Sequence, residues 1–98
     1  MLLAWADDLP VAVATLSMNF GIEFGWQAEI GDLYVVASAR GQGLASQLVA
    51  ECIAWARRKG ARSLAVTVTT HGAGQGLDRF YRALGFQGDG RRVLLRGI

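Results

Sequence analysis

The sequence predicts an α/β fold built on a mixed β-sheet, with elements in the order β-β-β-α-β-α-β. Three observations carry this. Short apolar and β-branched runs alternate with turn residues through the first 36 positions. A helical period begins at Leu44 and holds for four turns. A Val- and Thr-rich run, a second short helical stretch and a last apolar run then follow. At 98 residues the chain is read as one domain, residues 1–98. A composition 52% hydrophobic and 18% charged supplies a core and excludes a disordered or low-complexity chain.

Leu2–Ala6 reads as the first strand, closed by a turn at Asp7-Asp8-Leu9-Pro10. Residues 11–18 form a second strand antiparallel to it. Residues 19–26, with Gly21 and Gly25, read as a loose connection. Residues 27–36 form the third strand, with Leu33 and Val35 on one face and Asp32, Tyr34 and Val36 on the other. Leu44, Leu48, Val49, Cys52, Trp55 and Ala56 then fall at helical spacing, predicting a helix over Leu44–Arg58. Its basic end, Arg57-Arg58-Lys59, complements the helix dipole, and Gly60 stops it. Residues 64–70 make the next strand, parallel to the third because a crossover helix joins them. A loop at His71-Gly72-Ala73-Gly74 leads to a short helix over 75–84, with Leu77, Phe80, Tyr81 and Leu84 as its apolar stripe. Gly85 ends that helix, and Gly88-Asp89-Gly90 turns the chain into a last strand over 92–96.

Composition narrows the partners. No apolar stretch approaches the 18 residues a spanning helix needs, so no membrane partner is expected. Residues 1–16 are apolar, but they lack a basic leader and are cut by Asp7 and Asp8, so they are read as mature structure. The single Cys52 excludes an internal disulfide and fits a reducing compartment, making the cytoplasm the expected location. Residues 1–39 carry five acidic and no basic side chains, whereas 40–98 carry ten basic and three acidic ones. That asymmetry points to an anion site in the second half. The basic residues are not interleaved with aromatics in a nucleic-acid-binding pattern, so no nucleic acid is expected either.

The anion site has an obvious place. Arg40-Gly41-Gln42-Gly43-Leu44-Ala45 runs from a strand end to a helix start. Glycines let the backbone bend and leave no side chain in a ligand's path. The first helix amides have no internal partners and lie at the positive end of the dipole. Together they make a pyrophosphate cradle, to which Arg40 adds a fixed charge. A Walker loop needs Gly-Lys-Ser/Thr, absent here; a dinucleotide fingerprint lacks its third glycine, replaced by Ser46, and an acid for the ribose. The coenzyme A loop, Arg/Gln-x-x-Gly-x-Gly/Ala, is matched by Arg40, Gly43 and Ala45.

At these residues the chain resembles the GCN5-related N-acetyltransferase superfamily. The resemblance rests on Asp32-Leu33-Tyr34-Val35-Val36, the loop above, and Arg79-Phe80-Tyr81-Arg82-Ala83-Leu84-Gly85-Phe86, in that order. It implies an acyl-CoA N-acyltransferase-like, partly splayed sheet that opens between the third and fourth strands, with acetyl-coenzyme A as co-substrate and no metal. The implied activity is transfer of an acetyl group to a primary amine of a small molecule or protein. Backbone groups of Val35, Val36 and Ala37 would pair with the pantetheine arm. Amides of Gly41, Gln42, Gly43, Leu44, Ala45 and Ser46 would hold the pyrophosphate. Tyr81 matches the tyrosine that protonates the leaving thiolate.

The amine must be neutral to attack, so a proton acceptor is needed. Glu29 and Asp32 lie on the strand flanking the opening, and Glu29 is the preferred base. The oxyanion needs a donor, for which a backbone amide near Val35 is placed. Against the family pattern, Ala37 stands where proline is frequent, and Gly74 and Gln75 stand where asparagine is frequent. The reading is of a short form, without the strand and two helices that usually precede Leu2. Trp5 and Trp26 are the expected contacts of a homodimer. The alternative function is a non-catalytic coenzyme A-binding or dimerisation module that has lost its substrate-binding front.

Overall fold

The computed structural model describes residues 2–6, 9–22, 25–41, 43–68, 76–88 and 94–98. They fall into two compact units, Met1–Thr67 and Val68–Ile98. The first holds β1 (Leu2–Ala6), β2 (Leu9–Gly21), β3 (Gly25–Val35), a single 3-10 turn at Ala37–Ala39, α1 (Leu44–Arg58) and β4 (Ser63–Val66). The second holds α2 (Leu77–Ala83).

The first unit is a four-stranded sheet of order β1-β2-β3-β4, antiparallel across the first two junctions and parallel at the third. This is the expected mixed sheet. Pro10, the second residue of β2, stands opposite Trp5 beside a register shift that leaves Val11 as an extra residue in β2, where a residue without an N–H is tolerated. The expected turn at 7–10 is therefore shorter: Leu9 and Pro10 are already strand, and residues 7–8 lie outside the described residues. The loose connection expected over 19–26 is corrected too. β2 and β3 pair down to Gly21↔Gly25, and the Phe20 and Trp26 rings meet across the strands at 5.2 Å. Such a cross-strand aromatic pair holds a hairpin together where two glycines alone read as loop.

Leu48, Val49, Cys52 and Ala56 are the buried residues of α1, and α1 packs on the sheet through Leu48 and Cys52. Facing it are Ala12, Ala14, Ile30 and Val35, with Ala39 of the 3-10 turn. The alanines keep the floor beneath the helix low. α1 ends as expected at Gly60 (φ +82°), where Ala61 N–H bonds Ala56 O at 2.9 Å and Gly60 N–H bonds Arg57 O at 3.1 Å. This pair of reverse bonds closes off the helix's open carbonyls.

α2 ends the same way. Gly85 takes φ +98°, Phe86 N–H bonds Tyr81 O at 3.1 Å and Gly85 N–H bonds Arg82 O at 3.1 Å. The accompanying apolar contact is made by the Tyr81 and Phe86 rings, 5.4 Å apart. The Leu84-Gly85-Phe86 segment is thus a helix-termination device. Two expectations in this region change. The strand expected over 64–70 is only Ser63–Val66, with Thr67 and Val68 irregular and 69–70 outside the described residues. Residues 94–96 of the expected last strand are irregular and exposed, and 92–93 lie outside the described residues. So do His71, Gly72, Ala73, Gly74 and Gln75.

Candidate functional site

The site begins where the sheet stops being continuous. β3 and β4 pair in parallel from Gln27↔Ser63 to Ile30↔Val66 and no further. β3 itself runs on to Val35, so its last five residues extend past the ladder. The stop coincides with a β-bulge: Thr15 pairs with Asp32 while Leu16 pairs with Ile30, leaving Gly31 as an extra residue in β3. The core face of β3 changes parity there, from Ala28 and Ile30 to Leu33 and Val35. The sheet opens between its third and fourth strands.

Beyond the opening, the chain turns through Ala37–Ala39 into the glycine loop. Val36 N–H donates to Val11 O at 2.8 Å, and Val36 O accepts from Ala39 N–H at 2.9 Å. Strand alternation then turns the N–H and C=O of Val35 away from β2, towards the open side. Val35 O accepts a hydrogen bond from Arg40 Nε at 2.9 Å. Ala37 O accepts from Arg40 N–H at 3.3 Å. Of the three residues expected to present backbone groups, Val36 has both engaged within the chain. Arg40 lies over the Tyr34 ring, its guanidinium carbon 5.5 Å from the centroid, a contact worth roughly 0.5–1 kcal/mol at an exposed position. Arg40 thus clasps the loop to the end of β3.

Gly41 and Gly43 take φ +82° and +78°, backbone that L side chains rarely adopt. A Cβ built on either would meet no atom of the described residues within 4 Å, which leaves room there for a ligand. Gln42 lies outside the described residues. Gly43 caps α1, and the first internal bond runs from Gln47 N–H to Gly43 O at 3.1 Å. The amides of Leu44, Ala45 and Ser46 precede it and have no carbonyl within the helix to bond. No acidic residue stands in that first turn and no side chain caps it. Open amides, the positive dipole end and empty space fit a diphosphate group.

Glu29 sits on the sheet face away from α1, half-buried, opposite Ser17 on β2 and Ala65 on β4. Asp32 shares that face, but its Oδ2 accepts from the Thr15 hydroxyl at 3.0 Å. Asp32 is therefore tied to the bulge, while Glu29 has no partner among the described residues. Cys52 is fully buried under α1, and burial pushes its thiol up, which suits packing rather than nucleophilic work.

In the second unit, Tyr81 is the buried residue of α2, 6% exposed, with Phe80 and Phe86 ring centroids 5.1 and 5.4 Å away in edge contacts. Phe80 and Leu84, which share the expected apolar stripe, are less buried than Tyr81. Thr15 and Gly31 escaped sequence reasoning. The signal available for Gly31 was the break in alternation between Ala28/Ile30 and Leu33/Val35.

Among the described residues no group of three His, Cys, Asp or Glu is placed to hold a metal, and no helix is long and apolar enough to cross a membrane. The model of the acetyltransferase (GNAT) family matches residues 1–86. No curated protein matches the sequence. Among solved structures, a transcriptional regulator from Bacillus halodurans C-125 is similar with TM-score 0.85 and 26% identity, over 97% of this chain and 63% of that one. An integron cassette protein from the mobile metagenome of V. cholerae gives 0.84 and 25%, over 98% and 59%. Aminoglycoside N-acetyltransferase AAC(6')-Iy in complex with CoA gives 0.83 and 25%, over 98% and 73%. The chain thus spans less than two thirds of the first two.

Proposed function

The chain belongs to the acetyltransferase (GNAT) family, and we propose that it moves an acetyl group from acetyl-coenzyme A to a primary amine of a small molecule or protein. One observation carries the reading. The sheet opens past Ile30↔Val66, and β3 leads from that opening into a glycine loop whose following helix turn offers open amides and no acid. The similar AAC(6')-Iy structure holds CoA, which supports the same choice of acyl donor here.

In this proposal residues 1–98 work as one domain. The Val35 N–H pairs with the pantetheine arm, and the amides from Gly41 to Ser46 hold the pyrophosphate. Arg40 keeps these two segments together. Glu29 accepts the proton of the attacking amine, directly or through a water. Tyr81 donates a proton to the departing sulfur. The chemistry calls for no metal. The test has two stages: calorimetric titration with acetyl-CoA, then thiol release with aminoglycosides, polyamines and peptide N-termini as acceptors. Binding without turnover on any amine would identify a non-catalytic coenzyme A-binding module instead.

We further propose a cytoplasmic homodimer. Phe20 is 64% exposed, Ile22 99% and Trp26 50%, which together leave an apolar patch at one end of the β2–β3 hairpin. Phe20→Ser/Trp26→Ser should shift a dimeric mass to a monomeric one by light scattering. A wild-type chain that is already monomeric at high concentration removes the idea.

A further inference from the structure

We propose that Thr15 is a positioning residue for the acyl-donor site, acting through the bulge at Gly31. The inference rests on the acetyl-CoA reading above. β2 keeps its even-numbered residues on the core side: Ala12, Ala14, Leu16 and Met18 stand opposite Val35, Leu33, Ile30 and Ala28. Only β3 changes parity, so the extra residue belongs to β3 alone. Left unsupported, an extra residue in a long antiparallel pair is free to migrate along the strand, and each step would move apolar side chains to the wrong face.

Thr15 pins it. Its Oγ1 accepts the Asp32 N–H at 2.8 Å and donates to Asp32 Oδ2 at 3.0 Å, using the hydroxyl both ways. A Cβ on Gly31 would come within 2.9 Å of the same Oγ1. The hydroxyl occupies the room a side chain at position 31 would need, so the bulge takes a glycine where Thr15 stands beside it. The parallel ladder with β4 ends at Ile30, the residue before the bulge. The bulge therefore sets where β3 leaves β4, and with it the direction of the Val35 end that Arg40 then clasps to the loop. One hydroxyl on the neighbouring strand fixes the entrance for the acyl donor.

Thr15→Val keeps the shape and removes both hydrogen bonds, while Thr15→Ser keeps the hydroxyl. Losing bonds of this kind should raise the CoA dissociation constant about tenfold in Thr15→Val. Thr15→Ser should stay within about twofold of wild type, and both variants should keep the wild-type far-ultraviolet circular dichroism. The Asp32 amide, followed by hydrogen exchange, should lose protection in Thr15→Val and regain it in Thr15→Ser. In wild type this pattern needs no CoA. Gly31→Ala should weaken CoA binding as well, and Thr15→Ala should relieve its steric part.

Wild-type CoA affinity in Thr15→Val, or equal loss in Thr15→Val and Thr15→Ser, overturns the proposal while leaving the acetyl-CoA reading intact. If wild type itself does not bind CoA, the acetyl-CoA reading fails and the donor-site role goes with it. Asp32 exchange still decides whether Thr15 holds the bulge: unchanged protection in Thr15→Val refutes that too.

Discussion

Gly43→Glu removes CoA binding from a chain that remains folded. Gly43 sits at φ +78° with no atom of the described residues within 4 Å of a built Cβ, so the Cβ itself is accommodated. The left-handed backbone costs about 1–2 kcal/mol for a residue with a Cβ, which lowers stability without abolishing the fold. The carboxylate, however, projects beside the amides of Leu44, Ala45 and Ser46, where the proposed diphosphate rests. Two like charges about 4 Å apart at an effective dielectric of 20 repel by roughly 4 kcal/mol. That corresponds to about 10³-fold in affinity, before any steric conflict is added. Gly43→Ala carries the same backbone strain without the charge and should retain most of the affinity. Isothermal titration of the three proteins separates these contributions. A Gly43→Glu chain that is folded and binds CoA as wild type does would remove the loop from the site.

Tyr81→Phe should lower kcat roughly 10²-fold, the low end for general acid catalysis. A tyrosine hydroxyl is a donor able to pass its proton to the departing sulfur. The thiolate departs tolerably well unaided, which keeps the loss partial. The substitution preserves the ring, and with it the edge contacts to Phe80 and Phe86 that accompany the end of α2. CoA affinity should therefore hold, and stability should fall by no more than about the 0.5–1.5 kcal/mol of one hydrogen bond. The measurement is steady-state kinetics with the amine that the acceptor panel identifies. Full turnover in Tyr81→Phe would assign the residue to packing alone.

Much of the fold was legible because the decisive signals are local. The stripe from Leu44 to Ala56, the basic last turn and Gly60 specify α1, and its ends in the structure coincide with those expected. The loop was equally legible, since paired glycines before a helix have a direct backbone reading. What escaped depends on partners far away in the chain. Gly21 and Gly25 look like loop residues until the Phe20 and Trp26 rings are brought into tilted contact across the hairpin. β4 looks longer than it is because its length is decided by the bulge in β3. That bulge in turn is held by a hydroxyl 17 positions before Asp32, which no local pattern reveals. The candidate base shows the same limit: what sets Glu29 apart from Asp32 in the structure is its half-buried position and Thr15's hold on Asp32, neither of which is local in sequence.

The low alanine floor beneath α1 acts as a spacer of fixed thickness between two parts of the working surface. The open amides belong to the helix and the Val35 end belongs to the sheet, and Ala12 and Ala14 stand with Leu48 and Cys52 in the layer between them. Interiors are close-packed, so an added methyl group at Ala14 has to be taken up by lifting the helix or by distorting its neighbours. The separation of the two parts is thus gauged by core residues that lie outside the loop. Enlarging or trimming this layer would shift the loop amides against the Val35 end, and so change how well one pantetheine arm can reach both, without altering any residue of the loop.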